Sequence, residues 1–492
     1  MAGVYDPPYP IPYNPIRGTT SAPAGVMPVF NAKDYGVYGD GIHDDTVAGN
    51  NCISTAAAVG GTAYFPEGTY LGEFVSPAQS TGYVRIMGAG IDATTFLCKE
   101  SVSADGAALS LNMPGEIVDC TVDGNGTVVP STTTYSVLSV GNGLDAGWDF
   151  CALRRVRARN INPSVPNNGW NLVVWLSNSA VPLITTLILE DVIVEGPSAT
   201  NYDAMAINSF DTCFVSNMSL LNLNRSPNFY QGNTLIVKGI HSNGVSGISE
   251  VVFDSGVGYV NLSGYESTPT DGPPVLFGSP LVYASDSSFG AGYQLGYANN
   301  SQRAYFSNVE VGQSSPSNNP YIGNTMGVWI ATNCRFSYQI QVRTSTASGP
   351  LHFVNCDFTQ DTPVYGIFNS NTSAVVETYI DGGTTNIGSN AMFQGCTPKP
   401  GSRIANLTGY NPVGSSVPGT AFSLPASGTA WTNNTGVDGT LFVTAAGTVT
   451  DVVVQGVTVG SSLAVGQSVF VPAGGTFTLT YSAAPTLVFV GN

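Results

Sequence analysis

Leu189-Glu190-Asp191-Val192-Ile193-Val194 is one copy of a six-residue phrase: apolar, any residue, Asn or acid, small or apolar, any residue, apolar. Clear further copies are Ile117-Val118-Asp119-Cys120-Thr121-Val122, Phe306-Ser307-Asn308-Val309-Glu310-Val311 and Phe353-Val354-Asn355-Cys356-Asp357-Phe358. Weaker copies place their fourth residue at Val156, Met218, Val251, Ser287, Cys334 and Thr378. Successive copies lie 22 to 36 residues apart. Alternation inside each copy has period two, as in a short strand that buries every second side chain. One such strand per repeat, with length variation confined to the connections, predicts a solenoid of stacked coils: a parallel β-helix.

The bulk composition agrees. A solenoid accounts for 492 residues without four separate cores. Charged residues are only 10%, while 58 Gly and 31 Pro suit many short strands joined by tight turns. The formal charge of −17 excludes nucleic acid and anionic membrane as main partners and leaves glycans open. No basic segment followed by an apolar one begins the chain, so it reads as a cytosolic product made without a signal peptide, and no apolar run is long enough to span a membrane. Cys120, Cys334 and Cys356 share one repeat position and read as small buried hydrophobes, with disulfide or metal use as the alternative.

Residues 1–28 interleave five prolines from Pro7 to Pro15 with Tyr5, Tyr9 and Tyr13, which forbids helix and predicts an extended arm. From 29 to 80 the chain reads as a capping segment and first coil, with Asp44, Asp45 and Thr46 opening a helix over Val47–Ala58. Residues 81–408 read as the parallel β-helix, with Gly88 and Gly90 at an early tight turn and the longest excursion expected within 261–303. After Gly409, alternating runs at 439–444, 451–454, 468–471 and 476–480 predict a small antiparallel β-sandwich over 409–492.

The phrase Gly39-Asp40-Gly41-Ile42-His43-Asp44-Asp45-Thr46, a short helix, and then Gly60-Gly61-Thr62-Ala63-Tyr64-Phe65-Pro66-Glu67-Gly68-Thr69-Tyr70 resemble the amino-terminal signature of the pectate-lyase-like right-handed parallel β-helix superfamily, common in bacteriophage tailspikes and tail fibres. The resemblance implies an all-β fold: a right-handed parallel β-helix with its arm and capping helix, and a terminal β-sandwich. It implies structural roles for Asp40, Asp44 and Asp45 in turn and cap. It also implies a homotrimer attached to phage tail or baseplate proteins through the arm, in a virion assembled in the host cytoplasm. The weaker likeness of the last 84 residues to compact phage β-domains implies trimerisation or contact with the host surface.

In stacked coils, residues of equal phase lie roughly 4.8 Å apart. The third phrase position holds Asp119, Asp191, Asn217, Asp286, Asn308, Asn333 and Asn355, which predicts an internal polar ladder. The run Arg154-Arg155-Val156-Arg157-Ala158-Arg159 suggests an anion site by itself, but phase puts Arg154 beside Glu190, and Arg159 between Asp123 and Glu195. An inter-coil ion-pair ladder is the preferred reading.

Glycoside hydrolysis needs two carboxylates across one cleft. The best candidates are Asp203 and Asp211, with Tyr202, Phe229, Tyr230 and Trp170 as sugar contacts; the bland alternative is two turn aspartates. Trp148 and Trp175 read more readily as core or interface. Uronate-lyase chemistry lacks a dense acidic cluster, and His43, His241 and His352 are distant in phase, so no cofactor and no metal is expected. The expected function is recognition of host cell-surface polysaccharide by a tail spike or fibre. A polysaccharide depolymerase, glycoside hydrolase or lyase, and a purely structural tail or baseplate component are the alternatives.

Overall fold

The computed structural model describes residues 27–99, 107–126, 135–141, 147–161, 169–174, 184–196, 203–223, 227–243, 251–267, 275–290, 293–295, 302–312, 321–322, 326–337, 340–342, 348–360, 366–368, 374–388, 392–394, 396–399, 402–410 and 422–491. The proline-rich arm lies almost wholly outside them. From Val29 to Tyr410 the strands form one parallel system in which each coil pairs with those before and after it. The fold is a parallel β-helix.

The phrase supplies the reason. Its first, fourth and sixth residues point inward, and Leu189, Val192 and Val194 are fully buried. Each such side chain contributes about 1.5–3 kcal/mol of burial. Its third residue adopts positive φ: 60° at Asp119, 53° at Asp191, 51° at Asn217, 54° at Asn308, 52° at both Asn333 and Asn355. The strand turns a corner there, and Asn, Asp and Gly are the residues that tolerate this conformation. Gly239, Gly264 and Gly382 occupy the same column. The repeat therefore has copies at Ile240, Tyr265 and Gly383, where the sequence pattern placed them at Val251 and Thr378. A glycine met the backbone requirement without matching the Asn-or-acid pattern.

The core of the helix is lined by stacked side chains, among them Phe229, Phe253 and Phe277 with ring centroids 5.6 and 5.3 Å apart. Cys120, Cys334 and Cys356 are buried free thiols. Residues 261–303 hold the strands Val275–Phe277, Leu281–Phe289 and Tyr293–Leu295, so their described part is regular coil where a long excursion was expected.

The amino-terminal end is closed by the helix Thr46–Ala58, which buries Cys52, Ile53 and Ala56. Asp45 accepts hydrogen bonds from the Tyr38 and Gly39 amides at 2.6 and 2.9 Å, Asp44 from Thr46 at 2.9 Å, and Asp40 from Ile42 and His43 at 2.9 and 3.0 Å. Asp40 and Asp44 hold the turn that leads into the helix, whereas Asp45, at the N-cap position, makes no capping hydrogen bond with its side chain and instead ties down the Tyr38–Gly39 segment. At the other end, the Ile404 amide donates to the Gly436 carbonyl at 2.9 Å and the Tyr410 hydroxyl donates to Thr435, joining the last coil to an antiparallel unit. That unit comprises a four-stranded and a three-stranded sheet. Leu441, Val443, Val452, Phe477, Leu479 and Phe489 are buried in it as a separate core.

Candidate functional site

The expected catalytic pair falls on two consecutive strands. Asp203 opens the strand Asp203–Ile207, and Asp211 belongs to the next strand, Phe210–Leu221, beyond a corner at Ser209 with φ of 64°. Asp211 accepts a hydrogen bond from the Asn233 amide at 2.6 Å. Phe229 is fully buried in the phenylalanine stack and closed to a ligand, because alternation within its strand turns it inward. Tyr230 is half-buried and its hydroxyl accepts from the Asn228 amide at 2.8 Å. Tyr202 and the side chain of Asp203 lie outside the described residues. The backbones of Trp170 and Asp203 are in register on adjacent coils, the one juxtaposition within the expected set among the described residues. Trp148 is core, at 1% exposure.

The arginine run forms the expected inter-coil ladder. Arg154 contacts Glu190 on one side and Glu116, at 3.4 Å, on the other. Arg155 pairs with Asp119 at 3.0 Å, Arg157 with Asp92 at 3.1 Å and Arg159 with Asp123 at 2.8 Å, while Glu195 stands in register with Arg159. Arg155 itself occupies the positive-φ column, with φ of 51°. The histidines are apart: His43 pairs with Asp40, His241 with Glu266 at 3.2 Å, and His352 stacks on Tyr379 at 4.8 Å. Among the described residues no group of three or more His, Cys, Asp or Glu is arranged to hold a metal.

Two outward faces emerge, one from the expected polar ladder and one that the sequence pattern left unassigned. The first is a polar corner built on the positive-φ column, which projects into solvent where an internal ladder was expected. Asn217 donates to Asp191 at 2.6 Å, Asn308 to Asp286 at 3.0 Å, Asn355 to Asn333 at 2.9 Å and Asn406 to Asp381 at 2.9 Å, all at exposed positions. Two residues further along each strand lies a second outward column that includes His241, Glu266, Glu310, Arg335, Asp357 and Thr384, in register from coil to coil. Arg335 reaches Glu310 at 3.3 Å and Asp357 at 3.8 Å, and the Thr384 hydroxyl donates to Asp357 at 2.7 Å. The legible signal for this column was the fifth position of the phrase, read only as "any".

Protonation follows from these contacts. Burial raises the Asp357 carboxyl, but hydrogen bonds from Thr359 and Thr384 outweigh it and hold the group below its ordinary range. Glu377 is lowered by hydrogen bonds from Lys399 at 2.7 Å and Tyr379 at 2.8 Å. Asp40 and Asp44 are lowered as well, by backbone amides and by Thr46 respectively. A general acid for glycosidic cleavage needs the opposite shift. These four carboxylates are suited to accepting hydrogen bonds, not to donating a proton.

The second face lies on the other side of the corner. Its middle column begins at the residue three before each positive-φ position and runs Phe214, Ile236, Asn261, Tyr283, Tyr305, Ile330, His352 and Tyr379 in register. These side chains are half-buried, and the Tyr283 and Tyr305 rings stack on one another at 4.7 Å and 12°.

Residues 29–119 match the family model described as rhamnogalacturonase A/epimerase, pectate lyase-like. Mannuronan C5-epimerase AlgE2 of Azotobacter vinelandii is 37% identical over 108 residues, which are 20% of this chain and 11% of the relative. The chain thus spans about a tenth of the length of that curated relative. Among solved structures, the Pseudomonas phage phi297 tailspike gp61 aligns over 94% of this chain and 98% of its own, at 12% identity and a TM-score of 0.44. The N-terminal fragment of bacteriophage phi29 gene product 12 aligns over 77% and 72%, at 13% identity and a TM-score of 0.47.

Proposed function

We propose that the chain is a phage tail spike or tail fibre protein that holds a host cell-surface polysaccharide on the polar corner of its β-helix. The observation that carries this reading is the solvent-facing ladder of side-chain amides beside the Glu310–Arg335–Asp357–Thr384 row. Amides, carboxylates and a guanidinium fork, fixed at coil spacing on a rigid shaft, are oriented hydrogen-bonding groups of the kind that sugar hydroxyls satisfy. The partial likeness to a mannuronan epimerase supports a polysaccharide as ligand, and the amino-terminal signature, of a kind common in phage tailspikes, supports a virion as setting. In this reading the arm attaches the protein to the tail, and the chain works as a homotrimer.

The test is binding of the full chain to host cell-wall polysaccharide, together with its ability to block phage adsorption. Glu310→Ala combined with Arg335→Ala should lose binding while the far-ultraviolet spectrum is unchanged. A protein that neither binds the polysaccharide nor blocks adsorption overturns the reading.

A depolymerase reading rests on the register of Asp203 with Trp170, which sets a carboxylate-bearing residue beside an indole-bearing one. It requires reducing-end release by the wild type that disappears in Asp203→Asn. Release retained in that variant removes Asp203 from the chemistry.

A further inference from the structure

The chain carries a formal charge of −17, yet its second outward face is free of carboxylates over seven coils. The middle column from Phe214 to His352 contains none, and neither do its two flanking columns. One flank is largely hydroxyl, with Ser216, Ser263, Ser285, Ser307 and Thr332; Lys238 and Arg303 are the formal charges of the face. Across the positive-φ corner, the same coils carry Glu266, Glu310 and Asp357. Within these columns acids are thus sorted to one side of the bend, while Asp211 and Asp254 stand earlier on their strands, outside the face.

We infer that this acid-free face is where copies of the chain pack side by side with their axes parallel, an inference that rests on the oligomeric part of the reading above. Charge selects the occupant. Two surfaces of a −17 chain approach one another only where they present no carboxylates to desolvate or repel. The rings support it too: Tyr305 stacks on Tyr283 and Tyr259 packs edge-on against Tyr283, so three coils share one continuous half-buried aromatic surface. Flat, half-apolar and flanked by hydroxyls, such a surface complements a second copy of itself.

The area is of the required order. The coil steps from Phe214 to His352 span roughly 29 Å, and the outer columns lie about 14 Å apart, giving on the order of 400–600 Å² with side-chain width included. A standard interface takes about 800 Å² from each partner. The remainder is available on the terminal unit, where Phe442 and Phe470 are 40% and 52% exposed on one sheet and residues 409–492 contain no charged side chain except Asp438 and Asp451.

The test is the solution mass of the full chain by size exclusion with light scattering. A trimer is expected for the wild type. Ile236→Glu combined with Tyr305→Glu should raise the dissociation constant about a hundredfold or more, giving monomer at micromolar concentration with the far-ultraviolet spectrum retained. Glu310→Gln, on the polar corner, should leave the trimer intact. A monomeric wild type, or a double variant that still elutes as a trimer, overturns the inference.

Because the double variant perturbs a ring stack, Ser307→Cys provides a milder probe. A short bifunctional thiol reagent should link its copies into covalent dimers, whereas Ser219→Cys on the polar corner should stay unlinked. Failure of Ser307→Cys to link in a proven trimer also overturns the inference. Polysaccharide binding by the monomeric double variant would leave the glycan reading standing in every one of these cases.

Discussion

Replacing Asn333 tests why the column at the corner exists. Its φ is 52°, and its side chain accepts a hydrogen bond from the Asn355 amide at 2.9 Å while its own donation to Asn308 is long, at 3.5 Å. Asn333→Gly removes the amide but fits the backbone; the lost hydrogen bond and the extra freedom of the unfolded glycine cost about 1 kcal/mol together. Asn333→Ala adds left-handed strain of about 1–2 kcal/mol. Asn333→Val adds β-branched crowding as well, so that its total reaches about 3 kcal/mol. Urea unfolding of the three variants, followed by circular dichroism, should give midpoints falling in the order Gly, Ala, Val. The converse holds at Gly239, where φ is 84° and a Cβ would lie 3.5 Å from the Asn217 backbone nitrogen, an ordinary contact: Gly239→Asn should be nearly neutral. If Asn333→Gly is as damaging as Asn333→Val, the amide ladder and not the backbone angle holds the corner, and the backbone account is refuted.

Three other outcomes are expected. In Gly115→Ala the new methyl would sit 2.1 Å from the Val84 carbonyl oxygen, a backbone atom of the neighbouring coil that cannot rotate away, so the variant should lose at least about 3 kcal/mol and accumulate as insoluble protein on expression. Burial lowers His352 below the ordinary 6.5, so the unfolded chain takes up this proton first as pH falls; the stability is present above pH 6.5 and lost below it, and His352→Gln should flatten that limb of a melting-temperature profile. Asp357 has the same sign at lower pH: its contribution is complete above the unfolded value near 3.8 and disappears as pH falls through the lower folded value, so Asp357→Asn should blunt acid unfolding.

The shaft was legible because inward and outward residues alternate along each straight segment of strand, as Leu187 and Leu189 do before the corner and Val192 and Val194 do after it. The arginine ladder was legible for a related reason, since equal phase in stacked coils means contact. What failed was inference across the corner. At a positive-φ residue the alternation is interrupted, so nothing in the pattern said whether Asn308 and Asn355 point inward or outward, and they point outward. Two coils were missed because the repeat was defined by side-chain type, whereas the physical requirement at Gly239 and Gly264 is a backbone angle. Phe229 was misplaced through its proximity to Asp203 and Asp211 in the chain, when the parity of its strand already turned it into the core.

The corner also explains why carboxylates recur at one phase of the repeat. Carboxylates of this chain fall where a coil neighbour supplies a donor: Asp119 faces Arg155, Asp123 faces Arg159, Asp191 faces Asn217, Asp211 faces Asn233, and Asp286 faces Asn308. A parallel helix brings equal phases together whether or not they react, so an acid placed on it gains a hydrogen-bonding or ion-pair partner one coil away. Raising a carboxyl pKa for proton donation requires apolar surroundings without such a donor. The sheets of this protein are therefore suited to holding a ligand by many fixed hydrogen bonds, and the face that lacks acids is left for its own copies.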